Sequence, residues 1–226
     1  MSFPFAKEEA LIINGPVGQL QAVLHQGDAE GQFAANQWLV VICHPHPVHG
    51  GSMDNKVVTT LMRTYRDLGI HVLRFNFRGV GLSEGAFDNA IGELDDLRAV
   101  IAWGRQHFPE SQFMLAGFSF GSSIAAQISY EVPGLVHLTL VAPPVERFPY
   151  ARDNQFPSAV CIIQGDQDER VVAQGVYDWA RGLQASVSLL RYPNAGHFFH
   201  GFLTQMKADL AQVLTQQLSE TDPARE

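Results

Sequence analysis

The sequence predicts an α/β fold, in which helices cover both faces of one open, mostly parallel sheet. Short runs rich in β-branched and aromatic residues alternate with longer segments whose apolar residues recur at helical spacing. From Trp38 onward the short runs are almost continuously apolar, which is typical of strands buried on both faces of a parallel sheet. This alternation of strands and helices along the chain favours a single layered domain.

The first predicted element is a β-hairpin. Its two strands are joined by Asn14-Gly15-Pro16-Val17-Gly18, a composition that favours a tight turn. The hairpin therefore adds antiparallel pairing at one edge of the sheet. The eight predicted strands are residues 11–13, 20–25, 38–43, 71–76, 112–117, 137–141, 159–164 and 187–192.

Helical segments lie between the later strands. In the segment 91–107, for example, Ile91, Leu94 and Leu97 follow the i, i+3 spacing of a buried helix face. The five predicted helices are residues 55–68, 91–107, 120–130, 170–183 and 199–218.

Length and composition indicate one folded domain. The chain has 226 residues, of which 46% are hydrophobic, and this is enough to build a full core. We expect the domain to cover residues 1–218 and the polar residues 219–226 to form a loose tail. The formal net charge is −8 and Lys and Arg are not clustered, which argues against a nucleic-acid partner.

The sequence predicts a cytoplasmic protein. No apolar run reaches the length of a membrane span, and Met1–Glu9 lacks the charged and apolar regions of a signal peptide.

The two cysteines, Cys43 and Cys161, lie in apolar strands, so we interpret them as small core residues rather than catalytic thiols. We expect His25, His71, His107 and His137 to be structural or surface residues.

The residues after each strand are the candidates for function, because ligands of open α/β sheets bind at the carboxyl ends of the strands. The strand 112–117 is followed by Gly117-Phe118-Ser119-Phe120-Gly121 and then by a helical segment. This G-x-S-x-G pattern between a strand and a helix predicts a sharp turn that exposes Ser119 as a nucleophile. The alternative is that Ser119 only caps the helix.

A nucleophilic serine needs a base and an acid that orients the base. His197 follows the last strand and is the predicted base, and Asp168 follows the strand before it and is the predicted acid. We expect Asp166 to form a turn with its own backbone, Glu169 to begin the next helix, and His200 to lie on the surface. The chain order of serine, aspartate and histidine matches that expected for such a turn.

An oxyanion site needs at least two N–H donors. Phe120, which follows the nucleophile, is expected to supply one through its backbone. The loop after the strand 38–43 is expected to supply the second, and there Pro45 and Pro47 leave His46 as the available backbone donor. Gly50 or Gly51 is the alternative donor.

These motifs resemble the α/β-hydrolase superfamily over residues 11–218. The resemblance is carried by Gly117–Gly121, Gly165–Asp168 and Gly196–His197, and it is supported by Phe75–Ser83. It implies an eight-stranded sheet whose second strand is antiparallel. The family often has Asp where Asn76 stands, and we interpret this change as structural.

The loop after the third strand departs from the usual His-Gly start of the family. Its sequence, from His44 to Lys56, begins His-Pro-His-Pro and looks like that of a bacterial subfamily of small hydrolases. We expect Asp54 and Asn55 to cap the following helix, with substrate contact as the alternative.

Members of the superfamily often carry a lid after the sixth strand. Here only the seventeen residues 142–158 separate two strands, and they include Pro143, Pro144, Pro149 and Pro157. Such a segment is too short and too rich in proline for a helical cap domain. We therefore expect an open site, which disfavours a lipase acting on aggregated fat.

The sequence predicts a serine hydrolase that cleaves a small to medium soluble ester or thioester through an acyl-enzyme, without a cofactor or a membrane partner. Peptidase or amidase activity, or a catalytically idle ligand-binding protein, are alternatives within the same fold. A zinc hydrolase is a further alternative, because His44-x-His46-x-x-His49 together with Asp54 offers ligands of the zinc type.

Overall fold

A computed structural model describes residues 7–150 and 154–219. These residues form eight β-strands and five α-helices. The strands are β1 (Glu8–Gly15), β2 (Gly18–His25), β3 (Leu39–Cys43), β4 (His71–Phe75), β5 (Phe113–Phe118), β6 (His137–Val141), β7 (Ala159–Gly165) and β8 (Val187–Tyr192). The helices are α1 (Lys56–Asp67), α2 (Gly92–His107), α3 (Phe120–Ser129), α4 (Ala173–Arg181) and α5 (Leu203–Ser219).

All eight strands belong to one sheet, in the order β1-β2-β4-β3-β5-β6-β7-β8. Strand β2 is antiparallel to both of its neighbours, whereas β3 to β8 pair in parallel. Strands β1 and β2 pair up to Gly15 and Gly18, so only Pro16 and Val17 form the turn. The predicted fold class, including the antiparallel second strand and the hairpin, is confirmed.

The core lies on both faces of the sheet, as the apolar strands predict. Within β3, Leu39, Val41 and Cys43 pack on the face covered by α2, α3 and α4. Val40 and Ile42 pack on the opposite face, which is covered by α1 and α5. Every residue of β3 is fully buried. The strand can therefore hold the loop that follows it in a fixed position.

The two cysteines belong to this core. Cys43 packs in the cluster on one face and Cys161 in the cluster on the other, and both are free thiols. Burial raises the pKa of each thiol. Both side chains are therefore protonated core residues, as the sequence predicts.

Two helices begin three or four residues later than predicted, and one ends one residue later. Helix α4 begins at Ala173 instead of Arg170, and α5 begins at Leu203 instead of Phe199. Helix α5 includes Ser219, so the predicted tail does not begin there. The rest of that tail, residues 220–226, and the first six residues lie outside the described part of the chain.

The described residues between β6 and β7, 142–150 and 154–158, contain no helix and form no cap domain over the carboxyl ends of the parallel strands. None of the helices in the described ranges is long and apolar enough to cross a membrane.

Candidate active site

Ser119 lies alone in the turn between β5, which ends at Phe118, and α3, which begins at Phe120. Its backbone has φ of 52° and ψ of −121°, a strained conformation for a residue with a side chain. The N–H of Ser119 donates to the carbonyl oxygen of Val141 at 2.8 Å. This bond and the two flanking elements hold the strained turn in place.

The glycines on either side of the turn allow the backbone to pack closely. A Cβ atom on Gly117 would overlap the backbone of Gly121. A Cβ atom on Gly121 would in turn overlap the carbonyl oxygens of Cys43 and His44. The start of α3 therefore lies directly against the end of β3, and this contact brings the loop after β3 to the serine.

His197 is in hydrogen-bonding contact with both of the other predicted residues. Its Nε2 lies 3.0 Å from Ser119 Oγ, and its Nδ1 lies 2.8 Å from Asp168 Oδ2. The imidazole packs against the rings of Phe118 and Phe198, with 5.1 Å between centroids in each case. The structure thus brings together the three side chains that the sequence singles out at three strand ends.

The carboxylate of Asp168 is completely buried. Its Oδ1 accepts the N–H groups of Arg170 and Val171, both at 2.8 Å, and its Oδ2 also accepts from Gln164 Nε2 at 3.2 Å. Burial alone would raise the pKa of Asp168, but the hydrogen bonds from His197 and the two backbone groups outweigh it and lower the pKa. Asp168 is therefore a carboxylate that can orient the imidazole.

The two neighbouring acids do not behave as predicted. The Asp166 carboxylate accepts hydrogen bonds from Tyr177 and Arg191 instead of closing its own turn. Glu169 does not begin a helix, since α4 starts at Ala173, and its Oε2 accepts the N–H of His197 at 3.2 Å. Glu169 thus helps to hold the loop that carries the imidazole.

The backbone at His46 is extended, with φ of −51° and ψ of 121°, as expected for a residue that precedes proline. The carbonyl oxygen of His46 accepts the N–H groups of His49 and Gly51, both at 3.1 Å. Among the described residues, the N–H groups of His46 and Phe120 have no hydrogen-bond acceptor. Both groups are therefore free to donate to a bound molecule, and their role as oxyanion donors stays a prediction.

The side chain of His46 packs in an aromatic cluster. Its ring lies 4.6 Å from that of His49, 4.8 Å from Phe87 and 5.0 Å from Phe120. Burial, and secondarily the proximity of His49, lowers the pKa of His46. The imidazole is therefore neutral at pH 7 and contributes packing.

The zinc alternative is not supported by the positions of its ligands. Both ring nitrogens of His44 make hydrogen bonds, one with the N–H of Phe77 and the other with the carbonyl oxygen of Pro45. Neither nitrogen has a lone pair available for a metal ion. No group of three His, Cys, Asp or Glu side chains in residues 7–150 and 154–219 is placed to hold one.

Asn55 caps helix α1, as predicted, because its Oδ1 accepts the N–H of Val57 at 2.9 Å. Asp54 does not share this role. Its carboxylate is largely exposed and lies 3.2 Å from the guanidinium of Arg74.

Asn76, at the end of β4, is structural. Its Oδ1 accepts the N–H of Met53 at 2.8 Å and its Nδ2 donates to Gln21 at 2.8 Å. It therefore ties the loop after β3 to the second strand. A carboxylate has no N–H group to donate. An aspartate at this position could therefore keep both hydrogen bonds only if Gln21, and not residue 76, supplied the proton of the second.

A cavity of about 50 Å³ opens beside Ser119 and His197. Arg170 and Phe198 line it and were missed by sequence reasoning. The guanidinium of Arg170 lies over the ring of Phe198, 5.2 Å from its centroid. The sequence signal that could have identified them is their position. Phe198 directly follows His197, and Arg170 follows Glu169, the neighbour of Asp168. His200, by contrast, is exposed, as predicted.

Comparison with known protein families identifies the family of this chain. The chain belongs to the hydrolase family described as serine aminopeptidase, S33, whose model matches residues 34–153. The matched stretch is just over half of the chain and includes Ser119, whereas Asp168 and His197 lie beyond it.

The chain is also similar to individual bacterial proteins. An α/β serine hydrolase homologue from Coxiella burnetii is 40% identical with a TM-score of 0.86, over 94% of this chain and 100% of the other. An α/β serine hydrolase without a lid from Xanthomonas campestris is 39% identical with a TM-score of 0.85, over 95% of this chain and 96% of the other. An uncharacterised protein of Rickettsia prowazekii is 35% identical over 202 residues, which are 84% of this chain and 81% of that protein. The protein is thus an α/β serine hydrolase of the lidless kind.

Proposed function

We propose that this hydrolase is a serine esterase or thioesterase that cleaves small to medium soluble carboxylic esters or thioesters through an acyl-enzyme. The observation that carries the proposal is the unbroken chain of hydrogen bonds from Ser119 through His197 to Asp168. A serine on a strained strand–helix turn, a buried base and a buried carboxylate together form the arrangement that activates a hydroxyl group for acyl transfer.

In the first step, His197 Nε2 takes the proton of Ser119 as Oγ attacks the carbonyl carbon of the substrate. The N–H groups of Phe120 and His46 donate to the oxyanion of the tetrahedral intermediate. His197 then gives its proton to the leaving alcohol or thiol, and an acyl group remains on Ser119. Water, deprotonated by the same imidazole, releases the carboxylic acid and restores the serine.

The state of Asp168 supports its role in this cycle. Because its pKa is lowered, it is negatively charged at pH 7 and accepts the Nδ1–H of His197. This hydrogen bond holds the tautomer whose Nε2 can accept a proton, and the carboxylate stabilises the imidazolium that forms.

The absence of a helix in the described residues between β6 and β7 supports a substrate that arrives from solution. A lid that opens on a lipid surface would need more chain than the segment 142–158 provides. We also propose that the protein acts in the cytoplasm on a small molecule, with no cofactor and no nucleic-acid or membrane partner.

A peptidase or amidase is the second candidate, and the family's description as serine aminopeptidases favours it. An aminopeptidase must bind the α-ammonium group of its substrate, which calls for a carboxylate in the site. The described lining of the cavity contains Arg170 and no carboxylate. The nearby Glu169 is held by the N–H of His197 and lies 3.8 Å from Arg170. These contacts favour an ester over an amino-terminal peptide.

A panel of substrates tests the proposal. It combines p-nitrophenyl esters and acyl thioesters of increasing chain length with aminoacyl p-nitroanilides, and it is measured with the wild type and with His197→Ala. We expect hydrolysis of short and medium esters or thioesters that falls at least about 10³-fold in the variant. Cleavage of the nitroanilides alone would establish the peptidase instead. A wild type inactive on the whole panel would favour the idle ligand-binding protein.

A further inference from the structure

His44 is a buried side chain that connects two loops at the edge of the site. Its ring is fully buried. Its Nε2 lies 3.0 Å from the N–H of Phe77, which follows β4, and its Nδ1 lies 2.6 Å from the carbonyl oxygen of Pro45. The proposed catalytic cycle gives His44 no part, and its two hydrogen bonds suggest what it does.

The two partners fix the protonation state of His44. The N–H of Phe77 can only donate, so Nε2 must accept, and the carbonyl oxygen of Pro45 can only accept, so Nδ1 must carry a proton. Burial lowers the pKa of His44 to about 4. The ring is therefore neutral at pH 7, with its single proton directed at Pro45.

The carbonyl of Pro45 belongs to the same peptide group as the N–H of His46. The described chain has no cis peptide bond, and in a trans peptide the C=O and N–H bonds point in opposite directions. A bond that holds the oxygen of Pro45 toward His44 thus sets the direction of the His46 N–H. It also polarises the amide, and a polarised amide is a stronger donor.

The rest of the loop limits the remaining freedom of this peptide. A Cβ atom on Gly51 would overlap the oxygen of Pro45, so the carbonyl is packed against the backbone there. The next carbonyl, that of His46, is bonded to the N–H groups of His49 and Gly51. Only the His44 ring supplies a described hydrogen bond to the oxygen of Pro45.

We propose that His44 is a positioning residue that orients and polarises the Pro45–His46 peptide, so that the N–H of His46 donates to the oxyanion. The inference rests on the proposed function, because it assigns His44 to the oxyanion site of that reaction. In this proposal His44 acts through its Nδ1–H group, which donates to Pro45. A role only in folding would depend equally on both ring nitrogens.

Two variants separate the two ring nitrogens. In His44→Asn the side-chain amide can replace Nδ1–H and donate to Pro45, while the bond to Phe77 is lost. In His44→Gln the side-chain oxygen can replace Nε2 and accept from Phe77, while the bond to Pro45 is lost. Thermal unfolding of both variants, followed by circular dichroism, checks that they are folded.

We expect His44→Gln to lower kcat about 10²-fold with little change in KM, as loss of an oxyanion donor does. We expect His44→Asn to stay within about tenfold of the wild type. The affinity for a boronic acid that forms a tetrahedral adduct on the serine should fall in parallel with kcat/KM. Equal kcat values in the two folded variants, or a lower kcat in His44→Asn, would overturn the inference.

A second readout needs no turnover. The amide proton resonance of His46, observed by nuclear magnetic resonance with ¹⁵N labelling, should move upfield in His44→Gln and stay near its wild-type position in His44→Asn. An unchanged resonance in His44→Gln would refute the polarisation even if the wild type cleaves no ester. An inactive wild type would count against the proposed function alone. If His44→Gln does not fold, a 10²-fold lower kcat in His44→Asn still overturns the inference.

Discussion

Ser119 and His197 are held by contacts that leave each with little freedom of its own. The positive φ of Ser119 is maintained by its hydrogen bond to Val141, and the imidazole lies between Phe118 and Phe198. Groups held in a productive geometry react faster because the entropy of alignment has been lost on folding. At the scale of the residue, the site is thus organised before any substrate arrives.

The two aspartates after β7 give the sharpest residue-level test. Asp168→Asn should lower kcat about 10³–10⁴-fold, because an amide can donate to Nδ1 and favour the wrong tautomer of His197. Asp166→Asn is the matched control. Its side chain faces Tyr177 and Arg191, so kcat should change by less than about fivefold. Steady-state kinetics that reverse this order would show that the orienting carboxylate was misassigned.

His46 allows the backbone and the side chain to be tested separately. His46→Ala keeps the N–H and removes a ring that packs on Phe87 and Phe120, so kcat should fall less than about tenfold. His46→Pro removes the N–H, and kcat should fall about 10²–10³-fold. Circular dichroism must show that both variants are folded. Equally large losses in the two would assign the effect to the imidazole.

Sequence reasoning singled out Ser119, Asp168 and His197 because each follows a strand, and parallel strands bring their carboxyl ends to one edge. It missed that Arg170 lines the cavity and that Glu169 accepts the N–H of His197, because it assigned both residues to the next helix. In the structure α4 begins only at Ala173, and the N–H groups of Arg170 and Val171, in the loop before it, donate to Asp168. Contacts between loops distant in sequence leave no local pattern.

At the scale of the element, the position of β3 against α3 decides where the His46 loop lies. Residues 39–43 are completely buried, and the backbone of Gly121 is pressed against the carbonyls that end the strand. This close approach was predictable in kind from the G-x-S-x-G pattern. Which strand end it would contact was not, because strand order is set by tertiary pairing.

A methyl group at Gly121 tests this contact. Gly121→Ala should lower the free energy of unfolding by about 1–3 kcal/mol, because the new methyl overlaps the carbonyl oxygens of Cys43 and His44. It should also lower kcat by displacing the His46 loop. Gly182→Ala is the control, since its Cβ would lie 3.4 Å from the nearest atom. Urea unfolding that gives the two variants equal stability would contradict the account.

At the scale of the whole molecule, neutral histidines in the core couple folding to pH. Burial lowers the pKa of His25, His44 and His137 to about 4 from 6.5. Between pH 6.5 and 4 the unfolded chain therefore binds more protons than the folded one. These histidines make their full contribution to the free energy of unfolding above pH 6.5, and the contribution decreases as the pH falls from 6.5 to 4.

We expect the free energy of unfolding in urea to fall between pH 7.5 and pH 5, with each histidine adding about 1.4 kcal/mol per pH unit inside the window. His137→Gln should reduce this slope, because it removes one proton site while an amide can still donate to Gln217, the partner of Nε2. His200→Gln, at an exposed position, is the control for the substitution itself. A pH-independent free energy would contradict the burial of neutral imidazoles.

The proposed mechanism depends on Ser119 as the nucleophile, and covalent labelling can identify the reacting residue. A fluorophosphonate probe should react with the wild type as Oγ bonds to phosphorus and fluoride leaves, and mass spectrometry of the digested protein should find the adduct on Ser119. Ser119→Ala should not be labelled, whereas Ser111→Ala, altered at the other end of β5, should label like the wild type. Labelling that persists in Ser119→Ala, or an adduct on another residue of the wild type, would contradict the account.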